Sequence, residues 1–348
     1  MAMSRALPAE IEALDRLVAR LQAHASVRCE AVVDADDGTA PVPLPVHSIA
    51  LGSTRADAPA VGIFGGVHGL ERIGTEVVLA FVAHLAARLD WDDSLHALLD
   101  RLRVVVMPLV NPGGLVRGTR ANPAGVDLMR NAPVEAAEPV HWLLGGQRMS
   151  ARLPWYRGPA QAPLQPEAAA LCAVVTRELL PRPFALAIDC HSGFGLADRL
   201  WFPFAHTRTP IAQLADVHAL KALFDASHPQ HRYLIEPQSR QYCTHGDLWD
   251  HLLLRAGSDA AFVPLTLEMG SWTWVRKNPR QLFTRHGMFN PLIDHRRDRV
   301  LRRHMVWLDF ALRAAASHAR WRPVGQAREQ HRAEALALWY GQTTAQAR

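Results

Sequence analysis

Apolar positions fall into two rhythms along this chain. Residues 60–66 (AVGIFGG), 103–110 (RVVVMPLV), 184–190 (FALAIDC) and 261–268 (AFVPLTLE) are short, nearly continuous apolar runs, the pattern of strands buried on both faces. Between them, residues 71–89, 165–180, 211–227 and 246–255 carry helical patterns. This alternation predicts an α/β fold: a three-layer α/β/α arrangement around a central mixed, largely parallel sheet. In such sheets ligands bind beyond the carboxyl ends of the strands. Ile11, Leu14, Leu17, Val18 and Leu21 recur at helical spacing and predict an amphipathic helix near the start. Residues 298–317 and 327–340 predict two helices that close the domain. The expected division is an N-terminal helix and lead-in over 1–45, a catalytic domain over 46–325 and a C-terminal helix over 326–348. Two segments break the rhythm. Residues 34–45 form a Pro-rich connection, and residues 131–166 hold six prolines with Trp142, Trp155 and Tyr156. A loop that long and that aromatic is expected to be an ordered rim or lid.

Composition narrows the class without choosing a function. Apolar residues make up 49% and charged residues 20%, an ordinary globular balance. Cys29, Cys172, Cys190 and Cys243 are scattered with no C-x-x-C, so reduced thiols and a cytoplasmic setting are expected. The first residues lack the continuous apolar core of a secretory signal, and no run of about 20 apolar residues exists to span a membrane. Net charge is +5, with much of the excess in residues 295–304 (HRRDRVLRRH). Without a nucleic-acid motif beside it, that run reads as a solvated helix face and not as a nucleic-acid surface.

The strongest chemical signal is His68-Gly-Leu-Glu71, directly after a strand that ends in Gly65-Gly66. A His and a Glu three apart at such a junction can turn toward one point, and zinc accepts that pairing of nitrogen and carboxylate oxygen. H-x-x-E alone is weak, because in a chain with 18 His roughly one copy is expected by chance. A second copy, His331–Glu334, lies in a polar helical stretch and reads as that chance match on a solvated face. What separates the first copy is its place at a Gly-rich strand end. His191 also ends an apolar strand and precedes Ser192-Gly193-Phe194-Gly195, which makes it the candidate third ligand and leaves a fourth position open for water. Glu268 closes the run AFVPLTLE, where a carboxylate is unfavourable unless paired or functional. Beside a metal it is the candidate general base that takes a proton from water.

Taken in order, these blocks resemble the zinc carboxypeptidase family typified by carboxypeptidase A. His68–Glu71 resembles its H-x-x-E, and Asn111-Pro112-Gly113-Gly114 its N-P-D-G. Residues 119–122 (TRAN) and 125–131 (GVDLMRN) resemble R-x-N and G-V-D-L-N-R-N; Tyr156 to Glu167, His191-Ser192 and Thr266-Leu267-Glu268 follow. The blocks span roughly 60 to 270, and their combination is specific where each piece is not. The resemblance implies one Zn2+ per chain on His68, Glu71 and His191. It implies that Arg120 steadies the oxyanion and that Arg130 clamps a substrate carboxylate. It implies that Asp127 fixes the tautomer of His68, and Asp189 is placed to do the same for His191. Tyr242 is the candidate for the family's mobile Tyr, with Tyr233 second, and Leu248 for the specificity pocket. One departure stands out: the family's Asn-Arg pair is Met129-Arg130 here, and Met donates no such hydrogen bond. Asn131 is the candidate to compensate. Residues 198–205 and 268–274 resemble a bacterial branch of the family more than its digestive enzymes.

The expected function is therefore a zinc-dependent hydrolase that cleaves an amide bond of short peptides bearing a free carboxylate, using zinc-activated water and Glu268. Two alternatives remain open at this point: an N-acyl amino acid deacylase of the aspartoacylase-like type, and a non-catalytic zinc-binding module that recognises peptides. A small peptide or an N-acyl amino acid is the expected partner, with neither nucleic acid nor membrane.

Overall fold

The four apolar runs are the four adjacent central strands of one eight-stranded sheet in the computed structural model of the chain, which describes residues 7–35 and 42–341. The strands are β1 (Ser26–Asp34), β2 (Pro43–Gly52), β3 (Ala60–Gly65), β4 (Arg103–Met107), β5 (Ala185–Ser192), β6 (Arg199–Phe202), β7 (Leu234–Pro237) and β8 (Phe262–Met269). Their order is β1-β2-β4-β3-β5-β8-β6-β7. The central four run parallel, β1 pairs antiparallel with β2, β2 with β4 and β6 with β8, and β7 runs parallel to β6, so the sheet is mixed as expected. Every residue of β3, β4 and β5 is buried, which is why their sequences are near-continuous apolar runs. The strands outside the central four escaped the pattern for the same reason inverted. β1 alternates irregularly between half-buried and exposed, and β6 and β7 are only four residues each.

The helices are α1 (Ala9–Leu21), α2 (Arg72–Arg88), α3 (Asp93–Leu99), α4 (Pro112–Arg117), α5 (Pro166–Glu178), α6 (Leu214–Ser227), α7 (Leu248–Ala256), α8 (Trp272–Lys277), α9 (Asp294–Ala316), α10 (His318–Trp321) and α11 (Gly325–Tyr340). α2 and α9 pack on β3 and β5, with α1 against α2. α5 and α7 lie together against β1, β2 and β8, and α11 lies along α6. The sheet is thus covered by helices on both faces. No helix among the described residues is long and apolar enough to cross a membrane.

Three expectations shift. Residues 36–41 of the Pro-rich connection lie outside the described residues, and β2 already begins at Pro43. The basic run is not solvated throughout: Arg303 pairs with Asp198 at 2.6 Å, and His304 is buried with its Nδ1 2.9 Å from the Tyr233 hydroxyl. Tyr233 therefore belongs to the packing of α9 and is not a mobile active-site phenol. The segment 131–166 has little regular structure, yet its polar groups are tied. Arg157 holds Glu135 at 2.7 and 2.8 Å, and the Asn131 carboxamide oxygen accepts from the Gln165 N–H at 2.7 Å.

Candidate metal centre and catalytic pocket

The loop after β3 brings His68 to the carboxyl edge of the sheet, and Glu71 stands three residues later at the position just before α2. Gly69 is required there: a Cβ at that position would lie 2.0 Å from the carbonyl carbon of Gly114. The Asn111 side chain locks the junction, accepting from the Gly114 N–H at 2.8 Å and donating to the Val67 carbonyl at 3.2 Å. From the other side Asn290 accepts from Ile73 N–H at 2.9 Å and donates to the Leu70 carbonyl at 2.8 Å. His191 stands one residue before the end of β5, and the parallel register of β5 with β8 sets it opposite Glu268.

His68, Glu71 and His191 each offer a ligand atom within 4.8 Å of the others, and all three are buried. His191 Nδ1 is 3.1 Å from Glu71 Oε2, and its Nε2 is 2.7 Å from Asp189 Oδ2. Asp189 is itself fixed by the Trp249 indole N–H at 2.9 Å. Arg120 reaches the same cluster: its Nη1 donates to Glu71 Oε1 at 2.9 Å, Nη2 lies 2.7 Å from His68 Nε2, and Nε donates to Asp127 Oδ2 at 2.9 Å. A guanidinium only donates, so His68 Nε2 is a lone pair and the ring is neutral with its proton on Nδ1. That Nδ1 is buried without a hydrogen-bond partner, and Asp127 Oδ1 stands 3.8 Å away, beyond bonding length. Two imidazoles and a carboxylate converging in a buried site, with the far nitrogen of His191 braced by a carboxylate, fit a zinc ion with an open position.

The charges around the cluster oppose one another. Burial, then the charge of Arg120, hold His68 well below the ordinary imidazole range, which keeps it in its ligating form. Burial also disfavours a charged His191, but Asp189 and Glu71 outweigh it and raise that imidazole well above its ordinary value. Burial pushes the Glu268 carboxyl up to about 8, and the neighbouring Glu71 carboxylate adds to the effect. A dication in the cluster would counter that rise by favouring the nearby carboxylate. Glu268 is oriented by the Phe194 N–H, which donates to its Oε1 at 2.9 Å.

Arg130 is buried, with Nη1 donating to the Met129 carbonyl at 3.1 Å and Nε to the Leu144 carbonyl at 3.3 Å. The Tyr242 phenol lies against it, near Arg120 and Glu268 as well, and burial raises that phenol above its ordinary value. Phe194, Trp201 and Tyr242 form an aromatic wall, with ring centroids 5.2 to 6.0 Å apart. Gly246 lets the chain pass close behind Arg130: its φ is +73°, and a Cβ would lie 1.9 Å from the Arg130 carbonyl oxygen.

Two sequence candidates are not brought into the pocket. Asn131 spends its carboxamide on the Arg157 carbonyl and the Gln165 N–H, both within the scaffold. Leu248 is fully buried in the first turn of α7 and belongs to the hydrophobic core, as does Met129. Sequence reasoning passed over Trp249, Asn290 and the Phe194 N–H. The loop Ser192–Gly195 hinted at the last; the first two have no local signal, since their partners lie 60 and about 220 positions away.

Comparison with known proteins bears on this arrangement. A family model described as zinc carboxypeptidase matches residues 34–275. Carboxypeptidase D of Homo sapiens is 28% identical over 95 residues, which are 25% of this chain and 7% of that protein. Carboxypeptidase D of Anas platyrhynchos is 31% identical over 61 residues, 18% of this chain and 4% of that protein. The matches thus span less than a tenth of those relatives. Bovine thrombin-activatable fibrinolysis inhibitor, solved with a tick carboxypeptidase inhibitor, aligns over 90% of this chain and 98% of its own at a TM-score of 0.63 and 17% identity. Carboxypeptidase A of Helicoverpa armigera aligns over 88% of this chain and 72% of its own at 0.62 and 17%. A metallo-carboxypeptidase of Burkholderia cenocepacia aligns over 88% and 69% at 0.52 and 16%. At these identities the likeness is one of fold.

Proposed function

The chain belongs to the zinc carboxypeptidase family, and on that premise we propose that it hydrolyses an amide bond of short peptides that carry a free carboxylate. One observation carries the reading: a His-Glu-His cluster, the carboxylate of Glu268, the half-buried Arg120 and the buried Arg130 converge at one edge of the sheet. The zinc ion, when bound by His68, Glu71 and His191, supplies Lewis acidity that makes water a stronger acid and a carbonyl a better electrophile. Glu268 takes the proton from the attacking water and hands it to the departing nitrogen, with the Phe194 N–H holding the carboxylate in place. Arg120, tethered to Asp127, presents positive charge where the oxyanion develops. Arg130 binds the substrate carboxylate. It is a buried guanidinium met by backbone carbonyls and the Tyr242 phenol, so a carboxylate would give it the charge partner that burial favours. Tyr242 and the wall of Phe194 and Trp201 shield the bond from bulk water. Because Met129 lies in the core and Asn131 in the scaffold, the carboxylate grip falls on Arg130 without the family's neighbouring Asn.

The test is to load the full chain with zinc and offer short peptides, γ-linked peptide fragments and N-acyl amino acids, following products by mass spectrometry. Release of a C-terminal residue, lost in Glu268→Gln with zinc content unchanged, supports the reading. Turnover restricted to N-acyl amino acids would transfer it to a deacylase. Peptide binding with no turnover of any class would replace it with a recognition module.

A further inference from the structure

The second H-x-x-E of the sequence, His331–Glu334, is not left on a solvated face. α11 lies along α6, and this packing sets His218 of α6 against the pair. His218 Nδ1 is 2.8 Å from His331 Nδ1 and 3.7 Å from Glu334 Oε2. The His218 side chain is 15% exposed and that of Glu334 48%, so the cluster sits at the rim of the helix pair and an ion can reach it from solvent. Glu334 Oε1 accepts from Gln330 Nε2 at 3.0 Å, which leaves Oε2 facing the imidazoles.

We propose that His218, His331 and Glu334 form a second divalent-metal site, of the zinc class, that clamps α11 to α6. Residues i and i+3 share one side of a helix, and a ligand from the facing helix completes a three-donor site, a familiar way for paired helices to hold a metal. The donor types suit zinc best among abundant ions, because imidazole and carboxylate together match a borderline cation. Two nitrogens bound to one tetrahedral zinc stand about 3.3 Å apart. The rings here need to part by roughly half an ångström from their 2.8 Å contact, and the carboxylate oxygen is already near the matching distance. The docking it would reinforce joins the apolar packing of Ala335 and Trp339 to long-range polar ties. Asp216 of α6 holds Arg322 at 3.2 Å and Arg328 at 3.1 Å, and the Trp339 indole donates to the Ile235 carbonyl at 2.7 Å. None of this depends on the catalytic reading, since the three residues stand apart from the buried cluster.

Metal stoichiometry decides the matter. The full chain, stripped with chelator, reloaded with excess Zn2+ and freed of unbound ion, is expected to retain two zinc per chain. His331→Ala and the shape-preserving Glu334→Gln are each expected to lower that to one while leaving peptide turnover within about twofold. His191→Ala is expected to keep the peripheral zinc, and its unfolding temperature to rise on adding Zn2+; that rise should vanish when His331→Ala is added. One zinc in the unaltered chain that both peripheral variants still retain, or two retained in both of them, would overturn the proposal. So would a Zn2+-induced rise that survives in the double variant.

Discussion

The chain carries the same short pattern twice, and the two copies end in different physical settings. His68–Glu71 lies at a strand-to-helix junction, buried, with a third ligand supplied by β5. Its His191 is braced by Asp189 and Trp249, and charged groups surround it. His331–Glu334 lies mid-helix, partly exposed, with its third ligand from α6. It has no carboxylate behind its imidazoles comparable to Asp189 among the described residues. The lesson is that three donors make an ion possible, while burial, bracing and a neighbouring base decide what the ion can do. A buried site of low dielectric strengthens every charge interaction with a reacting group. A rim site offers an ion little more than a place to join two helices.

Several changes sharpen that contrast. Glu268→Gln removes the proposed general base from the buried cluster alone. Turnover should fall by about 10²- to 10⁴-fold with zinc content intact, and a fall of less than tenfold would remove Glu268 from the mechanism. Arg130→Ala should raise KM for carboxylate-bearing substrates, lowering kcat/KM by about 10- to 100-fold, the effect of losing charge-assisted hydrogen bonds. If KM holds steady, the clamp lies elsewhere. Asp189→Asn, which weakens the brace on His191, should reduce zinc affinity of the buried cluster by about 10- to 100-fold, read by competition with a chromophoric chelator. The peripheral site should be indifferent to it. The smallest effect concerns chelation kinetics. A chelator should strip the peripheral zinc first, and activity should decay only with the slower phase; a single phase carrying both metal and activity would erase the distinction between the sites.

Much of the central sheet and of the candidate metal cluster was legible because it follows local rules. Apolar runs of seven or eight residues marked β3, β4, β5 and β8, and polar residues at or just past their ends marked His68, His191 and Glu268. The outer strands β1, β6 and β7 were not legible, because half-exposed or very short strands leave no clean period. Asn131 and Leu248 looked available in the sequence, yet packing turned one into a scaffold tie and the other into core. Trp249 and Asn290 gave no sign of the residues they hold.

The sequence by itself determined the alternation of strand and helix and the chemical types gathered at the strand ends. Those depend on periods of two and 3.6 residues, which are written in consecutive positions. Only the tertiary structure decided which side chains meet. The register that sets His191 opposite Glu268, the indole that fixes Asp189 and the helix that carries His218 to His331 all join positions from 60 to 113 residues apart. Contacts of that range are fixed by how faces pack, and no local pattern specifies them.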